Sequence, residues 1–286
     1  ELADALIAAK YNSSITQIWV AKGTYYPKYE ADDDASLACT ISNRNNGFVT
    51  VPNVPIYGGF SGNETLLSQR NAFTNVVKLS GNIGAPGSAS DNSYHVLINA
   101  GNANCTLDGI NIVEGNANGV VFITPSISVN GFTVSPRRGG GMFNISSGLS
   151  IFQCTVENNF AGLTGGGIYD SLSWYISNLG LRVRNNQCAG DGGGWYSSNS
   201  EFTFFSGEIS GNESGADGGG IYLTPSSYLM NITGCSILSN MAQGKGGGIC
   251  TYSTSSSQLK MCRVSGNESV SYGGGLFTNG SPDFVI

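Results

Sequence analysis

The chain has 286 residues, 42 of them Gly, with 40% apolar, 10% aromatic and only 11% charged residues, and a net charge of −6. That apolar content excludes a flexible linker, and Gly does not recur at every third position as collagen requires. No apolar run is long enough for a membrane-spanning helix, and an acidic chain without a basic block argues against a nucleic-acid partner.

In chain order, residues 1–14 open with Leu2, Ala5, Leu6 and Ala9 on one helical face, which predicts a short capping helix. Residues 15–118 carry short strand-like stretches at 15–20, 22–27, 54–60, 76–79 and 94–98, read as irregular coils. The stretch 28–46, with Asp32, Asp33 and Asp34, reads as a lateral loop, and 119–138 as an insertion.

From 139 to 286 the sequence repeats. Gly triplets begin at Gly139, Gly165, Gly192, Gly218, Gly246 and Gly273, spaced 26, 27, 26, 28 and 27 residues apart. Asn159, Asn186, Asn212, Asn240 and Asn267 stand six residues before a triplet, with Asn116 as an earlier member. Three residues before each Asn comes Val113, Val156, Val183, Ile209, Ile237 or Val264. Polar residues alternate with these, as in a strand with one buried face. Short strands on this period predict an all-β chain: a single right-handed parallel β-helix of roughly ten coils. The Val/Ile column then forms a core ladder. The Asn column forms a second ladder, because Asn tolerates left-handed turns and stacked amides bond from coil to coil. Glu157 with Arg184, and Arg182 with Glu208, are expected as outward pairs on adjacent coils.

The runs ELADALIAAK, IWVAKGTYYP, VPIYGGFSGNET, LSGNIG, DNSYHVL and NIVEGNANG resemble the N-terminal region of secreted right-handed parallel β-helix proteins of the pectin-lyase-like superfamily. The later coils, reading Gly-Gly-Gly-apolar-aromatic and Val/Ile-x-x-Asn, are similar to repeats of bacterial polymorphic outer membrane proteins. These resemblances imply a parallel β-helix and an extracellular or cell-surface setting.

The best chemical candidate is the column just before the triplets: Arg138, Thr164, Asp191, Asp217, Lys245 and Tyr272. Asp191 and Asp217, stacked on adjacent coils, offer a carboxylate pair for glycoside chemistry or a shared calcium ion; the plainer reading is a turn residue before Gly. Phe143, Tyr169, Tyr196, Tyr222 and Phe277 form an aromatic column interrupted by Cys250. Turned outward it is a stripe for sugars or a partner, turned inward it is core, and the larger share is expected inside. His95 is the single histidine and reads as structural.

Seven cysteines without a CxxC fix no zinc site; Cys235 and Cys262 share a column as a possible disulfide or as free thiols. Among the Asn-x-Ser/Thr sequons, Asn63, Asn144 and Asn231 are the expected glycosylation positions. Together the residues read as a stalk, adhesin or filament subunit rather than an enzyme. No cofactor is expected apart from a possible calcium ion. Partners would be copies of the chain, or the rest of a longer chain, through an open last coil, and a glycan or cell-surface ligand. The alternative is a polysaccharide lyase or hydrolase using Asp191 and Asp217.

Overall fold

A computed structural model describes residues 1–32, 43–85, 87–227, 230–252, 257–279 and 284–285. The part of the expected loop that carries Asp33, Asp34 and Cys39 lies outside those residues. Helix α1 (Leu2–Tyr11) buries Leu2, Ala3, Leu6 and Ala9. It closes the apolar end of the first coil against strands Ile18–Ala21 and Phe48–Val49.

The rest is a parallel β-helix. One coil runs through strands Thr155–Glu157, Phe160–Ala161, Ile168–Ser171 and Trp174–Leu179. Each strand pairs with its equivalent one coil on, which builds parallel sheets of nine, eight, eight and six strands. The nine-stranded sheet matches the predicted stack. Residues 119–138 leave the stack and form an antiparallel hairpin of Ile127–Val129 and Phe132–Val134.

Val156, Val183, Ile209 and Ile237 stand in register inside the coils, each fully buried, and Val264 is partly buried at the end of that column. Val113 does not belong to it. Ile112 pairs with Val156, and Val113 pairs with Glu157. Asn116 is displaced by the same single residue and pairs with Phe160. Strand register is set by which side chains fit the interior, and Ile112 takes that place with no exposure. The Val-x-x-Asn spacing in 113–116 is therefore out of phase with the columns.

The Asn ladder proper runs from Asn159 to Asn267. Nδ2 of Asn159, Asn186, Asn212 and Asn240 donates to Oδ1 of the next Asn at 2.9, 3.0, 2.9 and 2.9 Å. Each Oδ1 from Asn186 to Asn267 also accepts the backbone N–H of the Asn one coil earlier, at 2.9 to 3.1 Å. Nδ2 of Asn186 bonds Val156 O as well, at 2.9 Å. The amides from Asn159 to Asn240 are buried and engaged on both sides, which is the condition for polar groups inside a core. The left-handed residue is not the ladder Asn but the one before it: Asn158, Asn185, Gly211, Ser239 and Gly266 have φ between 53° and 65°.

The triplets turn the chain towards the next strand. The first Gly is left-handed, as at Gly165 with φ 66°. The second has no room for a side chain, since a Cβ on Gly166 would lie 2.2 Å from Gln187 O. The excess of glycine is thus a requirement of the corner. Outside the coils, Arg184 Nε meets Glu157 Oε2 at 2.7 Å. Arg182 sits in register beside Glu208, whose Oε1 accepts the Ser210 hydroxyl.

Candidate functional site

Period-two alternation decides the aromatic column. Ile168, Trp195, Ile221 and Ile249 point inward and are fully buried, so their neighbours must point out of the coil. The expectation that the aromatics lie mostly in the core is corrected accordingly. Phe143, Tyr169, Tyr196 and Tyr222 stack up the outer face with ring centroids 4.9, 5.4 and 5.3 Å apart. Cys250 breaks the column in sequence but not in space. Tyr252 bridges the gap, with its ring 5.9 Å from Tyr222 and 5.7 Å from Phe277. Sequence reading missed Tyr252 because it stands two residues beyond the aromatic position.

The inserted hairpin covers one end of this ladder. Val129 and Val134 pack in one cluster with Phe143 and Tyr169, which are 2% and 6% exposed. Tyr196, Tyr222, Tyr252 and Phe277 remain half-buried. Tyr169–Tyr196 and Tyr196–Tyr222 are near-parallel, at 12° and 11°, so these rings give their faces to each other and their edges to solvent.

The pre-triplet column borders the ladder. Arg138 donates to the Tyr169 hydroxyl at 3.0 Å, and Lys245 lies 4.7 Å over the Phe277 ring. Asp191 Oδ1 accepts the Asp217 N–H at 3.0 Å. Asp217 Oδ1 accepts the Lys245 N–H at 2.7 Å, and its Oδ2 accepts the Tyr252 hydroxyl at 2.9 Å. Each aspartate therefore fastens one coil to the next. Burial raises the Asp191 carboxyl above its usual range; the Asp217 N–H opposes this and the Asp217 charge adds to it.

His95 is 4% exposed, with Nδ1 2.9 Å from Gly139 O and its ring 5.3 Å edge-on to Phe143. Burial pushes it down to about 4, against the bond to Gly139. Cys235 and Cys262 are free thiols, which corrects the possible disulfide. Cys235 Sγ donates to Thr233 O at 3.3 Å and Cys262 Sγ to Lys260 O at 3.1 Å, so each thiol turns to a carbonyl rather than to its neighbour. Asn144 is corrected as a glycan acceptor. It is 1% exposed and donates to the buried carboxylate of Asp170 at 2.6 Å. Asn63 stands exposed in a loop, and Asn231 is half-buried in strand Met230–Thr233.

The sequence also left Asp170 unremarked. It is fully buried on the inward side of its strand and accepts from Asn144 and from the Trp195 indole, which locks three adjacent coils together.

Neither the curated proteins nor the solved structures contain a match to this chain. A family model does match, over residues 102–284, which takes in every regular coil described above. That span is well over half of the molecule, and the chain belongs to the family described as periplasmic copper-binding protein (NosD).

Proposed function

We propose that this chain is an extracytoplasmic β-helical scaffold, structural or adhesive in role, rather than a glycan-cleaving enzyme. The observation that carries this reading is the bonding of the aspartate pair. Three of its four carboxylate oxygens accept a backbone N–H or a tyrosine hydroxyl at 2.7 to 3.0 Å. Groups fixed this way brace the stack, whereas a nucleophile and an acid need oxygens free to reach a glycosidic bond. The self-stacked rings support the same reading, because sugar stacking needs open ring faces. The surface that fits contact with a partner is the exposed apolar turn of Val120, Val121, Phe122 and Ile123, where Phe122 is fully exposed.

The family description names copper, and the donors that copper takes are scattered among the described residues. Copper takes imidazole, thiolate or thioether donors. The one imidazole is buried on Gly139 O. Burial pushes the Cys105, Cys154 and Cys188 thiols up to about 12, so they stay protonated. Met142 lies inside the core, while Met241 and Met261 are exposed at separate positions of the stack. Among the described residues no three His, Cys, Asp or Glu side chains converge.

The test is turnover of a panel of acidic and neutral glycans by the wild type and by Asp217→Asn. The expected result is no turnover by either protein, with a lower melting temperature for the variant. Turnover by the wild type that disappears in Asp217→Asn overturns the scaffold reading.

A further inference from the structure

The first regular coil meets the irregular coils at a groove of about 460 Å³ lined by Asn82, Asn92, Glu114, Asn116, Asn158 and Phe160, among others. Asn92 and Asn116 are 6% and 7% exposed. Their amide orientations are fixed: Asn92 Nδ2 donates to Glu114 O at 2.7 Å, and Asn116 Nδ2 to Ala89 O at 2.5 Å. Turning either amide over would set one carbonyl oxygen against another. The Oδ1 atoms of Asn82, Asn92 and Asn116 are closed to solvent, and none has a hydrogen-bond partner.

The charged donor nearby is engaged elsewhere. Arg44 directs Nε to Asn92 O at 2.7 Å, and Nη2 to Asn116 O at 2.8 Å and Asn118 Oδ1 at 2.6 Å. Its guanidinium lies 4.1 Å over the Tyr94 ring, and Asp91 is its charge partner. The Oδ1 atoms of Asn82, Asn92 and Asn116 are thus left without donors, and the Ser80 hydroxyl takes up one oxygen of Glu114.

We propose that this oxygen set binds a hard divalent cation of the calcium class, the juxtaposed Asn82, Asn92 and Asn116 amide oxygens and the Glu114 carboxylate being its ligands. Buried acceptors without donors are unfavourable unless something supplies positive charge or hydrogens. Three uncharged oxygens and one carboxylate are typical calcium ligands, and waters from the open groove complete the shell. Size decides between an ion and a sugar. The amide oxygens are shut to a water-sized group, hence to a sugar hydroxyl, whereas a dehydrated ion is smaller. With one carboxylate, the affinity belongs with extracellular modules, at roughly 10⁻⁴–10⁻³ M. The site is separate from the Asp191–Asp217 column, so it stands whether or not the scaffold reading does.

The experiment is calorimetric titration of CaCl₂ into the chelator-stripped full chain, with melting temperatures recorded alongside. The expected result is a single ion per chain and a melting temperature that rises with calcium. Glu114→Gln should weaken binding about tenfold, the loss of one charged ligand. Asn116→Ala, the loss of one neutral ligand, should weaken it by no more than that, and Asn185→Ala, in the next groove along the stack, should leave it unchanged. If Asn116→Ala does not fold, Glu114→Gln alone decides. No heat and no melting shift up to about 10 mM calcium overturns the proposal. So does binding that Glu114→Gln leaves intact, or a neutral sugar that binds where calcium does not.

Discussion

The regular coils from Gly139 onward and the irregular coils before them share one fold but treat polar groups differently. In the regular coils a buried amide meets a copy of itself: Asn186 is held by Asn159 on one side and Asn212 on the other. In the irregular coils the same residue type has no copy to meet, and Asn82, Asn92 and Asn116 keep oxygens without partners. Repetition satisfies the ladder amides by stacking them, whereas positions off the ladder keep unmet oxygens, Asn178 Oδ1 in the regular coils included. The family match over residues 102–284 covers the repeating part and the last of the irregular coils.

The largest effect should come from breaking the repeat at its core. Val183 is fully buried between Val156 and Ile209. Val183→Asp places an unpaired charge there and should cost about 4 kcal/mol or more, read by denaturant unfolding. A near-wild-type midpoint would mean that this column faces water. The ladder comes next. Asn186→Ala removes an amide whose Oδ1 accepts two N–H groups and whose Nδ2 reaches two acceptors. Leaving those groups buried should cost about 2–4 kcal/mol. Asn116→Ala, off the ladder, loses the bond to Ala89 O and should cost about 1 kcal/mol in calcium-free buffer. Equal losses in the two variants would erase the distinction between the regions.

What was legible in the sequence follows the same division. Copies announce themselves, so the triplets, the ladder from Asn159 to Asn267 and the core column from Val156 to Val264 could be read from spacing alone. The reading slipped where a single copy stood at the edge of the pattern. Asn116 and Val113 fit the motif but lie one residue out of register, because Ile112 fills the interior better. The direction of the aromatic column was open, since two adjacent apolar columns alternate and composition does not say which is inside. The hairpin over Phe143 and the bridging Tyr252 depend on three-dimensional return of the chain, which no local period encodes. The groove of Asn82, Asn92, Glu114 and Asn116 joins two separate stretches and carries no motif at all.

The two regions meet at His95, which bonds Gly139 O, and a pH series measures that junction. Burial lowers its folded value to about 4 from the unfolded 6.5. The unfolded chain therefore binds more protons between those values. The stability that comes from keeping the ring neutral is complete above pH 6.5 and is lost progressively as the pH falls towards 4. The total amounts to about 3 kcal/mol. His95→Asn keeps a donor for Gly139 O and should flatten this part of the pH–stability curve. An unchanged slope would assign it to other groups.

The smallest single loss, that of Arg184, comes from setting two ion pairs side by side, one from each region. In the irregular coils Arg70 pairs with Asp108, whose side chain is 12% exposed, and Arg70 Nη1 also donates to Gly58 O at 3.2 Å. In the regular coils Arg184 pairs with Glu157 at 2.7 Å; the two carboxylates are similarly enclosed, but Arg184 is 42% exposed against 20% for Arg70. Water can replace an exposed partner and cannot easily replace a buried one. Arg70→Ala strands the Asp108 carboxylate in a dry site and should cost about 3 kcal/mol. Arg184→Ala should cost about 0.5 kcal/mol and less in high salt, because the exposed Arg184 head leaves a gap open to water beside Glu157. Denaturant titrations at low and high salt separate the two, since screening acts on the outer pair and spares the inner one. Equal costs for the two variants would show that the outward columns contribute to the stack as much as the pairs held within the irregular coils.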